Sequence, residues 1–157
     1  MTVVRGLIFD YGGVLWDMRW DVTRDPEAEH GRRDRAIVET LYGSETWRQI
    51  EVGVGDREAW LSSAHHDLEA AAGRELPPLH THWRDQQHLI APNIDLIRRL
   101  RPPYRTAVLS NADNTLRGRL RQHGIIELFD DVVVSADVGI AKPDPRIYTL
   151  AARRLHL

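Results

Sequence analysis

The chain has no cysteine, and only one of its 21 basic side chains is a lysine. Without thiols there are no disulfides, no thiolate metal sites and no cysteine nucleophile, which suits a reducing compartment, and a cytoplasmic location is expected. Large charge of one sign is also missing. The net charge is −2 over 157 residues, so no global field draws the protein to nucleic acid or to a membrane surface. No apolar run approaches the roughly 20 residues that a membrane span needs. The opening stretch, Met1 to Asp10, is broken by charge and carries no long apolar region or small-residue cleavage site, so it does not read as a signal peptide. The one lysine, Lys142, therefore draws notice. A compact ammonium and a flat five-donor guanidinium are not interchangeable beside a carboxylate or phosphate. Lys142 also stands between an apolar strand and a clear helix start.

What is present suits one domain, or a small domain with an insertion. Val3 to Phe9 is short, apolar and rich in β-branched residues, and reads as a buried strand. It runs into Asp10-Tyr11-Gly12-Gly13, where two glycines permit positive φ and close approach of a ligand to the backbone. Residues 17–89 are polar, rich in Arg, Glu and His, and without a convincing strand. Ile37, Val38 and Leu41 have helical spacing, as do Trp60, Leu61, Ala64 and Leu68 up to Gly73; Leu76-Pro77-Pro78 then breaks the chain. This region is expected to be a helical insertion.

Beyond it helix and strand alternate. Ile94, Ile97 and Leu100 mark a helix face stopped by Pro102-Pro103. Thr106 to Leu109 reads as a strand ending in Ser110-Asn111. Asp113 or Asn114 is expected to cap a helix bearing Leu116 and Leu120 and ending at Gly124. Asp131 to Val134 reads as a third strand, with Asp130-Asp131 a turn at its start. Asp144-Pro145 is a good start for a last helix carrying Ile147, Leu150, Ala151 and Leu155. The order predicts an α/β fold with a Rossmann-like parallel sheet and right-handed crossovers. In such sheets ligands bind beyond the carboxyl ends of the strands, so Asp10, Ser110 and Lys142 are expected at one edge.

A carboxylate, a hydroxyl and an ammonium there suit nucleophilic displacement on an anionic substrate. Asp10 would attack phosphorus or carbon, Ser110 would hydrogen-bond a phosphate oxygen, and Lys142 would neutralise charge. Other features have plainer readings. His65, His66, His80, His82 and His88 read as a solvated face rather than a zinc site, lacking partners at convincing spacing. Trp16, Trp20, Trp47, Trp60 and Trp83 read as packing, with one of them a candidate for the substrate pocket. Arg32, Arg33 and Arg35, and likewise Arg98, Arg99 and Arg101, read as solvated flanks.

Phe9-Asp10-Tyr11-Gly12-Gly13-Val14-Leu15, Leu109-Ser110-Asn111 and Gly139-Ile140-Ala141-Lys142-Pro143-Asp144-Pro145 resemble, in order and spacing, the first three motifs of the haloacid dehalogenase (HAD) superfamily. The stretch from Trp47 to Trp60 resembles the caps of its phosphatase-like members, such as the N-terminal domain of soluble epoxide hydrolase. The resemblance implies a HAD-like core of residues 1–16 and 90–157 around a helical cap of residues 17–89. It further implies a phosphatase acting on a small phosphorylated metabolite with Mg²⁺. Asp10 would be the nucleophile and, with the Gly12 carbonyl, a metal ligand; Ser110, Asn111 and Gly13 would bind substrate; Lys142 would order the charges. Two departures stand out. Gly12 occupies the place of the second aspartate, the usual proton carrier, for which Asp17 is the candidate substitute. The fourth motif, an acidic cluster after a further strand, has no counterpart up to Leu157. The first strand would then keep an uncovered edge, and the chain is expected to pair it with another copy or to be part of a longer protein. A non-catalytic HAD-like protein and a 2-haloacid dehalogenase are the alternatives; the latter usually has tyrosine where Gly12 stands.

Overall fold

The structure is a computed structural model that describes residues 3–21 and 35–157, so Arg32 and Arg33 lie outside the described residues. The chain divides into two compact units. One comprises Met1–Asp17, Glu51–Gly53 and Leu89–Leu157; the other comprises Met18–Ile50 and Val54–His88.

The first unit is built on three parallel strands, β1 (Gly6–Phe9), β4 (Arg105–Ser110) and β5 (Asp131–Val134), in the order β1-β4-β5. Ser110 is level with Val134, so β4 and β5 end together, while Phe9 is level with Val108 and β1 stops two residues short of them. β4 and β5 are buried on both faces, which explains their continuous apolar runs. β1 differs from the expected buried strand. It is shorter, it lies at the margin of this sheet, and Ile8 is 39% exposed. Two-residue strands that the sequence pattern did not show, β2 (Trp16–Asp17) and β3 (His88–Leu89), stand at either end of the inserted stretch.

Helices follow β3, β4 and β5. α5 (Ala91–Leu100) buries Ile94 and Ile97 against the sheet core, and Pro92 near its start occupies a position where no N–H is needed. α6 (Leu116–Gln122) buries Leu116 and Leu120. Its cap is not the expected one. Thr115 precedes the helix without a capping side chain, while the Asp113 carboxylate accepts from the Thr115 N–H at 3.0 Å and pairs with Arg119 at 3.1 Å. Asp113 can satisfy a turn and an arginine at once, and this competes with capping. Asp130 also does more than turn the chain. Its carboxylate accepts from the Thr106 N–H at 2.7 Å and pairs with Arg101 at 3.0 Å, tying the start of β4 to the approach to β5. A four-residue helix, α7 (Ser135–Val138), follows β5 directly, and α8 (Pro145–Arg154) buries Ile147 and Ala151. Asp144 caps α8 by accepting from the Arg146 N–H at 2.9 Å. The Arg146 guanidinium holds the Asp144 carboxyl below its ordinary range.

The second unit is helical: α1 (Ala36–Tyr42), α2 (Glu45–Ile50), α3 (Arg57–Ala72) and α4 (Leu79–Asp85). α3 carries Trp60, Ala64 and Leu68 four residues apart, hence on one face, and all three are buried. Asp56 caps it by accepting from the Ala59 N–H at 2.7 Å, and Gly73 ends it at φ 66°, a left-handed value suited to glycine. An aromatic cluster fills the interior. Tyr42 meets Trp47 at 4.8 Å, and Trp47 meets Trp60 at 4.9 Å between ring centres. Buried indole N–H groups need acceptors. Trp60 donates to the Leu41 carbonyl at 2.8 Å and Trp83 to the Met18 carbonyl at 2.6 Å.

Candidate active site

Parallel strands that run the same way deliver the residues at and after their carboxyl ends to one edge. Asp10 comes directly after β1, and Ser110 is the last residue of β4. Lys142 arrives from the loop between α7 and α8, and its ammonium lies 2.7 Å from Asp10 Oδ2. The other oxygen, Oδ1, accepts from the Tyr11 N–H at 2.7 Å. The carboxylate is therefore held at both ends. Each oxygen keeps a second lone pair, and the side chain is 40% exposed, so the group stays open to a ligand. Ser110 is 4% exposed at the end of its strand.

The loop after Asp10 explains how this is achieved. The Tyr11 carbonyl accepts from the N–H groups of Leu15 at 2.8 Å and Trp16 at 3.0 Å, while Gly13 donates to the Trp16 carbonyl at 2.8 Å. Gly13 has φ 77°, which a β-carbon would strain. Its N–H is thus used inside the loop. Gly12 is exposed. Tyr11 is turned away from solvent at 4% exposure and stacks on Trp16 at 5.8 Å. Asp17 lies in β2, at the exit from the loop.

Asn111 is placed differently from a simple substrate ligand. Its side-chain oxygen accepts from the Lys142 N–H at 2.7 Å, and its amide nitrogen donates to the Lys142 carbonyl at 3.0 Å and to Glu51 Oε2 at 3.1 Å. Both donor hydrogens and the acceptor are engaged, and the three partners settle which way the amide faces. Asn111 grips the backbone of Lys142. Two contributors escaped the sequence pattern. One is Glu51, which reaches this edge from within the inserted stretch. The other is the buried Ser135, whose hydroxyl is 3.0 Å from the Ala112 N–H and fixes the segment next to Asn111. A serine directly after an apolar strand, in Val134-Ser135, was the available signal for the second. For the first, the signal was its place in the stretch from Trp47 to Trp60 that resembles the family's caps; its pairing with Asn111, 60 residues away, was not visible there.

The histidines do not join this edge. His65 and His80 face one another in the helical unit at 6.0 Å, and His65 lies 3.3 Å from Glu69. Burial, followed by the positive charge of His65, Arg84 and Arg57, pushes His80 below its ordinary pKa. Trp47, Trp60 and Trp83 belong to the packed interior of the helical unit, and Trp16 to the sheet unit.

A strand-edge carboxylate paired with an ammonium in a parallel α/β sheet defines a class of hydrolytic and group-transfer sites. The family model for haloacid dehalogenase-like hydrolases matches residues 4–157, and the chain belongs to that family. It is 29% identical to (S)-2-haloacid dehalogenase 1 of Pseudomonas sp. (strain CBS-3), over 99% of this chain and 72% of the relative. A HAD family enzyme of Bacteroides thetaiotaomicron, solved with magnesium and inorganic phosphate, superposes with a TM-score of 0.71 at 18% identity, covering 99% of this chain and 80% of that one. The L-2-haloacid dehalogenase of Xanthobacter autotrophicus, solved with chloropropionic acid covalently bound, gives a TM-score of 0.63 at 19% identity, covering 99% and 66%. At such identities these structures establish the fold. No described helix is long and apolar enough to cross a membrane.

Magnesium is present in a related structure, so the donor set bears on whether it suits this chain. Among the described residues no group of three or more His, Cys, Asp or Glu could hold a metal. The Asp10 carboxylate, open at 40% exposure, and the carbonyl of the exposed residue Gly12 remain as candidates. That set fits a magnesium ion completed by substrate phosphate and water, since this ion keeps several waters and often takes only one or two carboxylates.

Proposed function

We propose that this hydrolase is a phosphomonoesterase acting on a small phosphorylated metabolite, with Asp10 as nucleophile. The observation that carries the reading is the 2.7 Å pair between Asp10 and Lys142 at the ends of the parallel strands. Asp10 Oδ2 would attack phosphorus and form an aspartyl-phosphate as the ester oxygen leaves; water would then cleave the acyl phosphate and release inorganic phosphate. Lys142 offsets the repulsion between a carboxylate and an anionic substrate, and Ser110 offers a hydroxyl to a phosphoryl oxygen. Magnesium, when bound by Asp10 and the Gly12 carbonyl, would supply further neutralisation of the phosphoryl charge. Gly12 carries no group that moves protons. Asp17 is the candidate general acid and base, a role worth about 10² to 10⁴ in rate.

A second reading, 2-haloacid dehalogenation, has a specific support in the relative that aligns with 99% of the chain. There Asp10 would displace halide from carbon, and water would cleave the resulting ester. Against it stands the place two residues after Asp10, which is Gly12, while Tyr11 is buried in the sheet unit. Measuring phosphate release from a panel of phosphate esters with and without Mg²⁺, beside halide release from 2-chloropropionate, separates the two. Magnesium-dependent phosphate release supports the first; metal-independent halide release overturns it.

A further inference from the structure

We propose that Glu51 is a positioning residue for Lys142, acting through the side-chain amide of Asn111. The inference deepens the hydrolase reading above and rests on it for its consequence in turnover, while its test does not need a substrate.

The segment Glu51–Gly53 comes from the helical insertion in sequence but is part of the sheet unit. Gly53 makes this possible. It has φ 81°, and a β-carbon built there would collide with the carbonyl oxygen of Ala136 in α7. Such an approach is open to glycine alone. Val52 lies close as well, its carbonyl oxygen 3.9 Å from a β-carbon placed on Gly139. The three residues are thus seated on the corner that follows β5, the corner from which the chain runs on to Lys142.

From that seat Glu51 Oε2 receives one hydrogen of Asn111 Nδ2 at 3.1 Å. The second hydrogen goes to the Lys142 carbonyl at 3.0 Å, and Asn111 Oδ1 takes the Lys142 N–H at 2.7 Å. A planar amide has one orientation that serves all three partners. A carboxylate acceptor makes its bond charge-assisted, and so stronger than a neutral one. Removing it leaves the amide held by the Lys142 backbone alone, free to tilt with it. Because the Lys142 ammonium is delivered to Asp10 from that same backbone, the aim of the ammonium depends on Glu51.

The single lysine makes the test direct. Labelling with ¹⁵N-lysine gives one backbone amide signal, that of Lys142. Its chemical shift and hydrogen-exchange protection are to be compared in the wild type, Glu51→Ala, Glu51→Gln and Glu51→Asp. Glu51→Ala should move the signal and lower its protection by about tenfold, the loss expected for one charge-assisted bond. Glu51→Gln, which keeps an acceptor at the same reach, should restore protection to within about threefold. Glu51→Asp, charged but one methylene short, should behave like the alanine variant and serves in its place should that variant fail to fold. Valine amides of β5, labelled in parallel, should keep their protection throughout. An unchanged Lys142 signal in both the Ala and Asp variants overturns the proposal, as does a loss shared equally by the β5 valines. An inactive wild type would sink the hydrolase reading and leave this readout standing.

Discussion

Each of the two units is stabilised internally by its own means. In the sheet unit, β4 and β5 bury both faces and backbone ladders fix the register of the strands, so a few polar side chains are delivered to one edge. In the helical unit, the four described helices close around Tyr42, Trp47, Trp60 and Trp83, with the indole N–H groups of Trp60 and Trp83 satisfied by main-chain carbonyls. The lesson concerns where tolerance lies. Ladder geometry positions Asp10 whatever the details of packing, whereas the helical unit relies on the fit of a few large rings.

Substitutions should break this comparison in opposite ways. The largest effect is expected at Trp83, fully buried in the helical unit. Trp83→Ala should cost about 3–5 kcal/mol, enough to consume much of a domain's stability. Thermal melting followed by circular dichroism should show the helical signal lost at lower temperature. A second substitution tests the sheet unit. Lys142→Arg keeps the charge but replaces a point donor by a broad fork, and should lower hydrolysis by about 10² with little change in melting temperature. Assay of the esters and a melting curve on the same preparation check both halves of that statement.

A smaller effect follows from His80. Its folded pKa lies below its ordinary value of 6.5, because burial and then His65, Arg84 and Arg57 oppose a proton there. The unfolded chain therefore binds that proton more readily. The stability contribution is complete above pH 6.5 and is lost as pH falls through that value towards the folded pKa. Tryptophan fluorescence melts at pH 7.5 and 5.5 should show a lower midpoint at the acid pH, and His80→Gln should flatten the slope.

Much of the sheet unit was legible because its signals are local. An apolar run ending in Asp10-Tyr11-Gly12-Gly13, or Asp144-Pro145 before a helical pattern, states its geometry within a few residues. The helix at Trp60, Ala64 and Leu68 was legible for the same reason. What escaped is non-local. The register that brings Asn111 to Lys142 and Glu51 spans 31 and 60 residues and rests on a glycine contact with Ala136. Asp113 was misjudged as a cap because its competing partner, Arg119, becomes a neighbour only once the helix has formed. The marginal place of β1 was foreseen only through the family resemblance, from the missing fourth motif, since composition does not encode strand order.

The most direct test of the central claim, that Asp10 held by Lys142 is the hydrolytic centre, compares the wild type with Asp10→Asn. Phosphate release from an ester that the wild type hydrolyses with Mg²⁺ should fall by at least about 10³ in the variant, the scale at which a nucleophile's loss registers. Equal rates in the two proteins would contradict the account.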